Sequence, residues 1–477
     1  MSILSLSFLL FLLILVAMYY LLPGRCSPYV ILLGNVYFYL QFGYRHGVFL
    51  LLSVLLTFFG ALLIQRAPTP RYKKLVLWAV LVLNIGFLFF VKFTPYLLGL
   101  LAVDAGGLAE HILVPVGVSF YTLQVTGYCI DVYRGKYPAQ RNLLKYAAFG
   151  TFFPLMLQGP ISRYDQLSTT LFQPCRRGAF YKNLTSGSQL MLWGFFKKLV
   201  IADRAAMLVN TVFENYPSYA GSAILVAALC YTLQIYADFS GCVDICRGAA
   251  ELFGIRVMDN FKQPYFAVSI QDFWRRWHIA LSSWLRDYVY FPLGGNRKGT
   301  VRKYLNLLIV FFVSGLWHGV GIHYLVWGLL QGVLQIVGAL TLSLRQTACR
   351  LLRINRESEG YIWVRRLFTL GLVTFSWVIF RATGTIAAVR MLRSVWLPST
   401  GASLGLDLLD WAILLAGVLV LLVVSHYREK GCSIRGAVAA TPIPVRWSAY
   451  LALFLAVLVF GIYGPGFSES AFIYMSF

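Results

Sequence analysis

Charge, and acidic charge most of all, is scarce in this chain of 477 residues. There are 18 Asp and Glu residues against 41 Lys and Arg residues, and 12% of the chain is charged while 59% is hydrophobic. A water-soluble protein cannot bury that much apolar surface, so the composition excludes an ordinary soluble domain and indicates a chain whose solvent is the lipid bilayer. No polar stretch is long enough to fold separately. We therefore expect one transmembrane domain over residues 1–477.

The eight cysteines lack the spacing of a disulfide framework or of a zinc site. Cys242 and Cys246 are four residues apart and share one helix face, but no second pair completes a set of metal ligands. We interpret the cysteines as core thiols and expect neither a bound metal nor a bound cofactor.

The net charge of +23 has a membrane explanation. The basic residues occupy short loops between apolar runs, which is the positive-inside pattern, and no basic face carries a motif that reads nucleic acid. The sequence therefore predicts the lipid bilayer as a partner, in the cytoplasmic (inner) membrane of a cell, and excludes nucleic acid.

Apolar runs that are nearly free of charge recur along the whole chain, and a run of roughly 20 residues is needed to cross a bilayer as a helix. The first run has no basic start and no small-residue cleavage site, so we interpret it as a retained span rather than a signal peptide. We predict an all-α protein with about eleven crossings and additional re-entrant or interfacial helices. The runs are 2–22, 29–43, 47–65, 75–91, 112–130, 146–158, 186–196, 220–237, 304–344 (a double length), 367–380, 405–425 and 447–463.

The loop charges predict an orientation. Basic clusters at 66–74 and 134–145 flank two apolar runs, whose connecting loop carries Asp104 and Glu110. Two crossings return the chain to the same side, so both basic clusters are expected in the cytoplasm and the acidic loop outside. Counting back three spans places the N-terminus outside.

Residues 256–303 form a different kind of segment, with nine Lys and Arg residues against three Asp residues. In "FWRRWHIALSSWLRDYVYFPL" the aromatic residues recur mostly three or four apart, which predicts an amphipathic segment at the cytoplasmic interface. Its basic side chains either face lipid headgroups or bind the phosphates of a substrate. These side chains are Arg275, Arg276, Arg286, Arg297 and Lys298.

The segment 304–344 has no charged residue, yet it contains His318 and His323. Lys303 and Arg345 flank it, so we predict a helical hairpin that crosses twice, with His318 about 22 Å along the first helix. An ionisable group at that depth is a functional-site hypothesis, and the alternative is an imidazole that packs between helices and bonds to a carbonyl. A desolvated, neutral imidazole can take a proton from a hydroxyl, as acyl transfer from a thioester requires.

The chain has five other histidines, one of which is a second catalytic candidate. His278 in "RRWHIAL" is the second catalytic candidate, and its alternative role is an interfacial side chain facing headgroups. We interpret His323 as a helix-packing residue, and His46, His111 and His426 as solvated or structural residues. A metal pair is excluded for His318 and His323, because they are five residues apart and no Cys or carboxylate lies in the run. Asp238 and Asp244 in "YADFSGCVD" are expected to form ion pairs, for instance with Arg247, rather than to act in catalysis.

Several longer motifs resemble a known family. "FKQPYFAVSIQDFWRRWHIALSSWLRDYVYFPLGGNR" (261–297) and "SGLWHG" (314–319) are similar to the membrane-bound O-acyltransferases of the bacterial alginate O-acetylation type. The resemblance extends to the stretches at 115–135, 159–166, 195–204, 233–255 and 376–382 and to "SAFIYMSF" at 470–477. The run "PLGGNR" (292–297) favours this acetylating branch over the branch that transfers D-alanine to teichoic acid.

The resemblance implies a multi-helix fold around a funnel or tunnel, with His318 as the catalytic histidine and His278 as the second recurrent histidine. It implies an acyl thioester donor, such as acetyl-CoA or an acyl carrier protein, and a secreted or membrane-anchored acetyltransferase partner that modifies a polysaccharide. We expect Trp317, Asn306 and Trp274 to contact the substrate. D-alanyl or longer-acyl transfer and a glycan or lipid transporter remain as alternatives.

Overall fold

Long apolar runs with few charges form helices here because a helix satisfies every backbone hydrogen bond within its own segment. The computed structural model describes residues 1–100 and 112–463. Asp104, Glu110, His111 and the terminal stretch 470–477 lie outside the described residues, so the predictions for them stay predictions.

The described residues contain helices and no strand, which confirms the all-α class. In chain order the helices are α1 (Leu6–Leu21), α2 (Ser27–Leu40), α3 (Tyr44–Arg66), α4 (Pro70–Leu100), α5 (Val118–Tyr133), α6 (Leu143–Gly150), α7 (Phe153–Met156), α8 (Tyr164–Leu171), α9 (Phe180–Phe195), α10 (Asp203–Glu214), α11 (Ser222–Leu252), α12 (Ile270–Arg276), α13 (Ile279–Leu285), α14 (Thr300–His318), α15 (Ile322–Leu340), α16 (Leu342–Leu351), α17 (Glu359–Arg381), α18 (Thr385–Ser394), α19 (Leu408–Glu429), α20 (Ile434–Ala439) and α21 (Ile443–Phe460). Two π-helical stretches, Phe196–Ala202 and Arg286–Tyr290, continue α9 and α13.

Eight helices of the described part are long and apolar enough to cross a membrane: α3, α4, α11, α14, α15, α17, α19 and α21. The first run forms the shorter apolar helix α1, and the runs at 112–130 and 186–196 contribute to helices of 16 residues. A multi-pass membrane protein is confirmed, whereas the number of about eleven crossings stays a prediction.

The contacts divide the chain into two units, and the prediction of one domain over 1–477 is not tested by this division. Unit 1 comprises Met1–Met191 and Cys242–Met258. In it α3 packs against α4 and α5, and the fully buried amide of Asn35 accepts the backbone N–H of Phe153 at 2.9 Å. Asp244 lies 3.7 Å from Arg247, so the expected ion pair forms on α11.

Unit 2 comprises Leu192–Gly241 and, in its described part, residues 259–463. Its most polar core feature is Lys198, in the first π-helical stretch. The buried ammonium lies 2.8 Å from Asp203 and 2.6 Å from Asp238. Asp238 thus forms the expected kind of ion pair, but with Lys198 as its partner. Burying one cation between two carboxylates offsets the cost of removing all three groups from water.

The hairpin of α14 and α15 belongs to unit 2 and is held closely together by glycines. A Cβ atom at Gly328 would lie 2.3 Å from the backbone oxygen of Phe311, and one at Gly315 would lie 2.5 Å from that of Tyr324. No larger residue fits at these positions without moving the backbone. The predicted helical hairpin over 304–344 is therefore present, with its helices joined by residues 319–321.

Candidate active site

His318 is the last residue of α14 and lies at the tip of the hairpin. Three aromatic rings meet its imidazole edge to face, with centroid distances of 5.0 Å to Trp317, 5.2 Å to Trp327 and 5.4 Å to Phe380. His318 is 2% exposed, whereas Trp317 is half-buried. Trp317 is thus the least buried of the three rings that meet His318.

His278 precedes α13 and is 1% exposed. Its backbone has φ of +44°, the left-handed region that non-glycine residues seldom adopt and that is often found at functional sites. This turn follows the short helix α12, and two hydrogen bonds between side chains and backbone N–H groups fix the start of that helix. The hydroxyl of Ser269 accepts the N–H of Asp272, and the carboxylate of Asp272 accepts the N–H of Val268.

The hydrogen bonds of His278 decide which ring nitrogen carries the proton. Its Nδ1 lies 3.2 Å from Oδ1 of Asn260, and this same oxygen accepts the N–H of Ala280 at 3.0 Å. A carbonyl oxygen only accepts, so Nδ1 donates and the lone pair of the neutral ring lies on Nε2. Burial lowers the pKa of His278 to about 3, which keeps the ring neutral at physiological pH.

The two predicted catalytic histidines are brought together by one aromatic residue. The ring of Trp317 lies 5.0 Å from His318 and 6.0 Å from His278. Phe239, on α11, packs edge to face against the ring of His278, with a centroid distance of 4.8 Å. Trp317 was predicted to contact substrate, and the structure places it beside both imidazoles.

The indole of Trp274 is buried in the same region and does not point to solvent. Its Nε1 donates to Gln331 at 3.1 Å, and the amide of Gln331 donates to the hydroxyl of Ser376 at 2.7 Å. Sequence reasoning missed Gln331 and Ser376, although Gln331 is a buried polar residue within the charge-free run. This chain of hydrogen bonds joins α12, α15 and α17 behind His318.

Two stacked indoles form the wall next to His318. Trp327 and Trp377 lie 5.6 Å apart with their planes at 15°, and both are almost fully buried. Their Nε1 atoms find no hydrogen-bond acceptor among the described residues. A buried N–H group without an acceptor lowers the stability of the fold by about 1–3 kcal/mol. The two indoles therefore provide two hydrogen-bond donors for a polar group of a ligand.

Asn306 holds an adjoining loop through its side-chain amide. Its amide donates to the backbone oxygens of Leu293 at 3.3 Å and Gly295 at 2.9 Å. It therefore fixes the "PLGGNR" loop, which presents Arg297 and Lys298 at the exposed surface. Contact of Asn306 with substrate stays a prediction.

The basic residues of the segment 256–303 differ in what they do. Arg275 is exposed, and Arg286 is exposed and lies 2.9 Å from Asp287. Arg276 is instead held by Asp272 at 3.0 Å and Glu429 at 2.6 Å, so it ties α12 to α19. We infer that Arg276 has a structural role and that the exposed cations are the ones available to a ligand.

A metal site needs several His, Cys, Asp or Glu side chains close together. Within residues 1–100 and 112–463 no group of three or more His, Cys, Asp or Glu side chains is placed to hold a metal ion. The polar groups around His318 are imidazole, indole and amide groups.

The comparisons with known proteins identify the family of the chain. Residues 137–380, which include His278 and His318, match the model of MBOAT, the membrane-bound O-acyltransferase family. Over 281 residues the chain is 42% identical to a probable alginate O-acetylase of Pseudomonas fluorescens, covering 59% of this chain and 54% of that protein. The chain thus matches about half the length of this relative.

Two further relatives are matched over more of their length. A probable alginate O-acetylase of Azotobacter vinelandii is 35% identical over 396 residues, covering 81% of this chain and 76% of that protein. A peptidoglycan O-acetyltransferase of Helicobacter pylori is 31% identical over 392 residues, covering 76% and 73%. The chain belongs to the membrane-bound O-acyltransferase family.

Proposed function

We propose that this protein is an O-acyltransferase of the cytoplasmic membrane that moves an acetyl group from a cytoplasmic thioester donor towards an exported or cell-surface polysaccharide. Family membership supports acyl transfer, and the names of the relatives, alginate O-acetylase and peptidoglycan O-acetyltransferase, support an acetyl group and a polysaccharide acceptor. The observation that carries the proposal is the pair of buried histidines, His318 and His278, whose rings both lie next to the ring of Trp317.

His318 is the proposed general base. It takes the proton of the acceptor hydroxyl while that oxygen attacks the carbonyl carbon of the thioester; the C–S bond then breaks, and the thiolate leaves and takes up the proton. The products are an ester and a free thiol. If a ring nitrogen of His318 attacks the carbonyl first, an acetyl-imidazole forms and the hydroxyl attacks it in a second step. Rapid quenching followed by mass analysis of the hairpin peptide separates the two routes.

The surroundings suit a small, uncharged acyl group. Three aromatic rings keep water from His318, and the N–H groups of Trp327 and Trp377 can donate to the polarised carbonyl oxygen. The charged part of the donor stays outside, where exposed cations attract its phosphates. These cations are Arg275, Arg286, Arg297 and Lys298.

The direct test is His318→Ala, measured as ester-linked acetate on the isolated surface polysaccharide, with the membrane level of the protein determined in parallel. His323→Ala is the matched control, because His323 lies in the same hairpin and packs on Tyr324 at 4.1 Å. We expect acetylation to vanish in the first variant and to persist in the second. Normal acetylation by a fully inserted His318→Ala protein would disprove the base.

A separate assay distinguishes acetyl transfer from its alternatives. Purified protein is given acetyl, longer-acyl and D-alanyl thioesters, and release of the free thiol is followed together with the mass of the product. The proposal requires that acetyl thioester is consumed and that consumption needs His318. Movement of an unmodified glycan across a reconstituted membrane without any thioester would establish a transporter instead. A secreted or membrane-anchored acetyltransferase is the proposed partner that receives the group.

A further inference from the structure

A second concave site lies in unit 1 and shares no residue with the histidine site. It is a cavity of about 480 Å³ between the end of α1, the loop that precedes α9 and the turn that follows α11. We call it the basic pocket. Its lining includes Tyr19, Tyr20, Arg176, Lys182, Phe253 and Arg256.

The charge around the basic pocket has one sign. Arg176, Lys182 and Arg256 are exposed, and none of them forms an ion pair with any other described residue. No Asp or Glu residue lines the cavity. On α11 the carboxylate of Glu251 accepts the hydroxyl of Ser186 at 2.7 Å. Three cations around one hollow repel one another, and an anion inside it relieves that repulsion.

The neighbouring Arg177 shows what a structural arginine does in this loop. Its guanidinium donates to the backbone oxygens of Leu21 at 2.8 Å and Leu22 at 3.3 Å and so caps the end of α1. Arg176 makes no such bond in the described part of the chain, although it is adjacent in sequence. The loop therefore uses one arginine to close a helix and leaves the other facing the pocket.

The inner wall is aromatic and held in place. Tyr19 packs edge to face on Phe253 at 5.1 Å, and the hydroxyl of Tyr20 donates to the backbone oxygen of Leu252 at 2.8 Å while accepting from Asn183 at 2.9 Å. The cavity is larger than a phosphate ion needs, which leaves room for an organic group against these rings. A rim of cations above an aromatic wall suits an amphiphilic anion.

We propose that the basic pocket binds a phosphate ester, with the phosphate between Arg176, Lys182 and Arg256 and the organic part on Tyr19 and Phe253. Two sources supply this chemistry. One is an anionic phospholipid. The side chain of Leu21, which is 76% exposed beside the pocket, favours this source because it could contact an acyl chain. The other is a soluble nucleotide-like compound, such as the phosphorylated end of a thioester donor; only this source rests on the proposed function.

The experiment uses purified full-length protein and pairs of probes that differ in the anion. Short-chain phosphatidylglycerol is compared with phosphatidylcholine of the same chain length by native mass spectrometry. Adenosine 3′,5′-bisphosphate is compared with adenosine by calorimetry. The test protein carries R176Q, K182Q and R256Q together. The charge-matched control carries R350Q, R353Q and R356Q, three exposed arginines of unit 2.

We expect one of the anionic probes to bind more tightly than its neutral counterpart, and the pocket variant to weaken that binding by about tenfold or more, the effect of losing one charge-assisted hydrogen bond. The probe that responds identifies the source. The control variant and His318→Ala should bind as the parent protein does, which separates this site from the proposed base. The proposal is overturned if neither anionic probe is preferred, or if the pocket variant binds like the control.

Discussion

We expect His278 to contribute to the pH dependence of the protein's stability, and His278→Asn to remove that contribution. The folded ring is neutral with a pKa of about 3 because it is buried, whereas the same group in the unfolded chain titrates near 6.5. Below pH 6.5 the unfolded state therefore binds a proton that the folded state does not bind. The folded state loses free energy relative to the unfolded state as the pH falls, by about 1.4 kcal/mol per pH unit until the folded ring itself protonates.

At pH 5 the loss from this one residue amounts to about 2 kcal/mol, from one and a half pH units at that rate. Asn is the replacement of choice for two structural reasons. It tolerates a φ of +44° better than other side chains do, and its amide N–H can donate to Oδ1 of Asn260 as Nδ1 of the ring does. We therefore expect the variant to be about as stable as the parent protein at pH 7.5.

The assay is denaturant-induced unfolding in detergent at pH 7.5 and pH 5, for the parent protein, His278→Asn and the exposed-site control His426→Asn. All titrating groups other than His278 are shared by the parent protein and His278→Asn, so the difference between these two curves isolates His278. The parent and control should lose about 2 kcal/mol more than His278→Asn between the two pH values. Parallel curves for the parent and His278→Asn would refute the neutral, buried ring.

Three further predictions follow from packing and polar contacts. Gly328→Ala places a Cβ atom 2.3 Å from the backbone oxygen of Phe311 and should lower the free energy of unfolding by about 1–3 kcal/mol, measured by denaturant-induced unfolding. Gly338→Ala is the control: its Cβ atom meets no atom within 4 Å, so the free energy of unfolding should stay the same or rise. Lys198→Met leaves two buried carboxylates without their cation and should cost about 3–5 kcal/mol, seen as loss of folded protein in detergent. Asn306→Ala removes two hydrogen bonds of about 1 kcal/mol each to the "PLGGNR" loop, so trypsin should cut after Arg297 at least about tenfold faster. An unchanged cleavage rate would contradict the role of Asn306 in holding this loop.

The sequence predicted the features that depend on local pattern. The charge-free run between Lys303 and Arg345 predicts a helical hairpin, and the structure has one with His318 at its tip. The ion pair of Asp244 with Arg247 is a local contact, three residues apart on one helix, and it was predicted with its partner. Hydrophobic periodicity and short spacing are sufficient for such features because every atom involved lies within a few turns of chain.

The assembled site could not be predicted in the same way. His278 meets Trp317 only because the chain turns through a left-handed residue after α12, and no residue pattern announced that conformation at a histidine. Asn260, which fixes the tautomer of His278, is 18 residues away from it, and Ser376 is 45 residues away from Gln331. These pairings are set by how helices pack, so a single sequence contains no local signal for them.

In the proposed acyl transfer, the exposed cations before α14 are separated from His318, the proposed base. Arg297 and Lys298 directly precede the start of α14, while His318 is its last residue, roughly 27 Å further along the helix. A charged carrier attracted to the first region cannot enter an aromatic enclosure without losing its hydration, but a short neutral acyl group can. Of the three rings that meet His318, Trp317 is the half-buried one, and it also lies 6.0 Å from His278, so we expect a substrate to approach His318 beside Trp317. We therefore expect a smaller side chain at Trp317 to widen the range of acyl groups that the protein accepts.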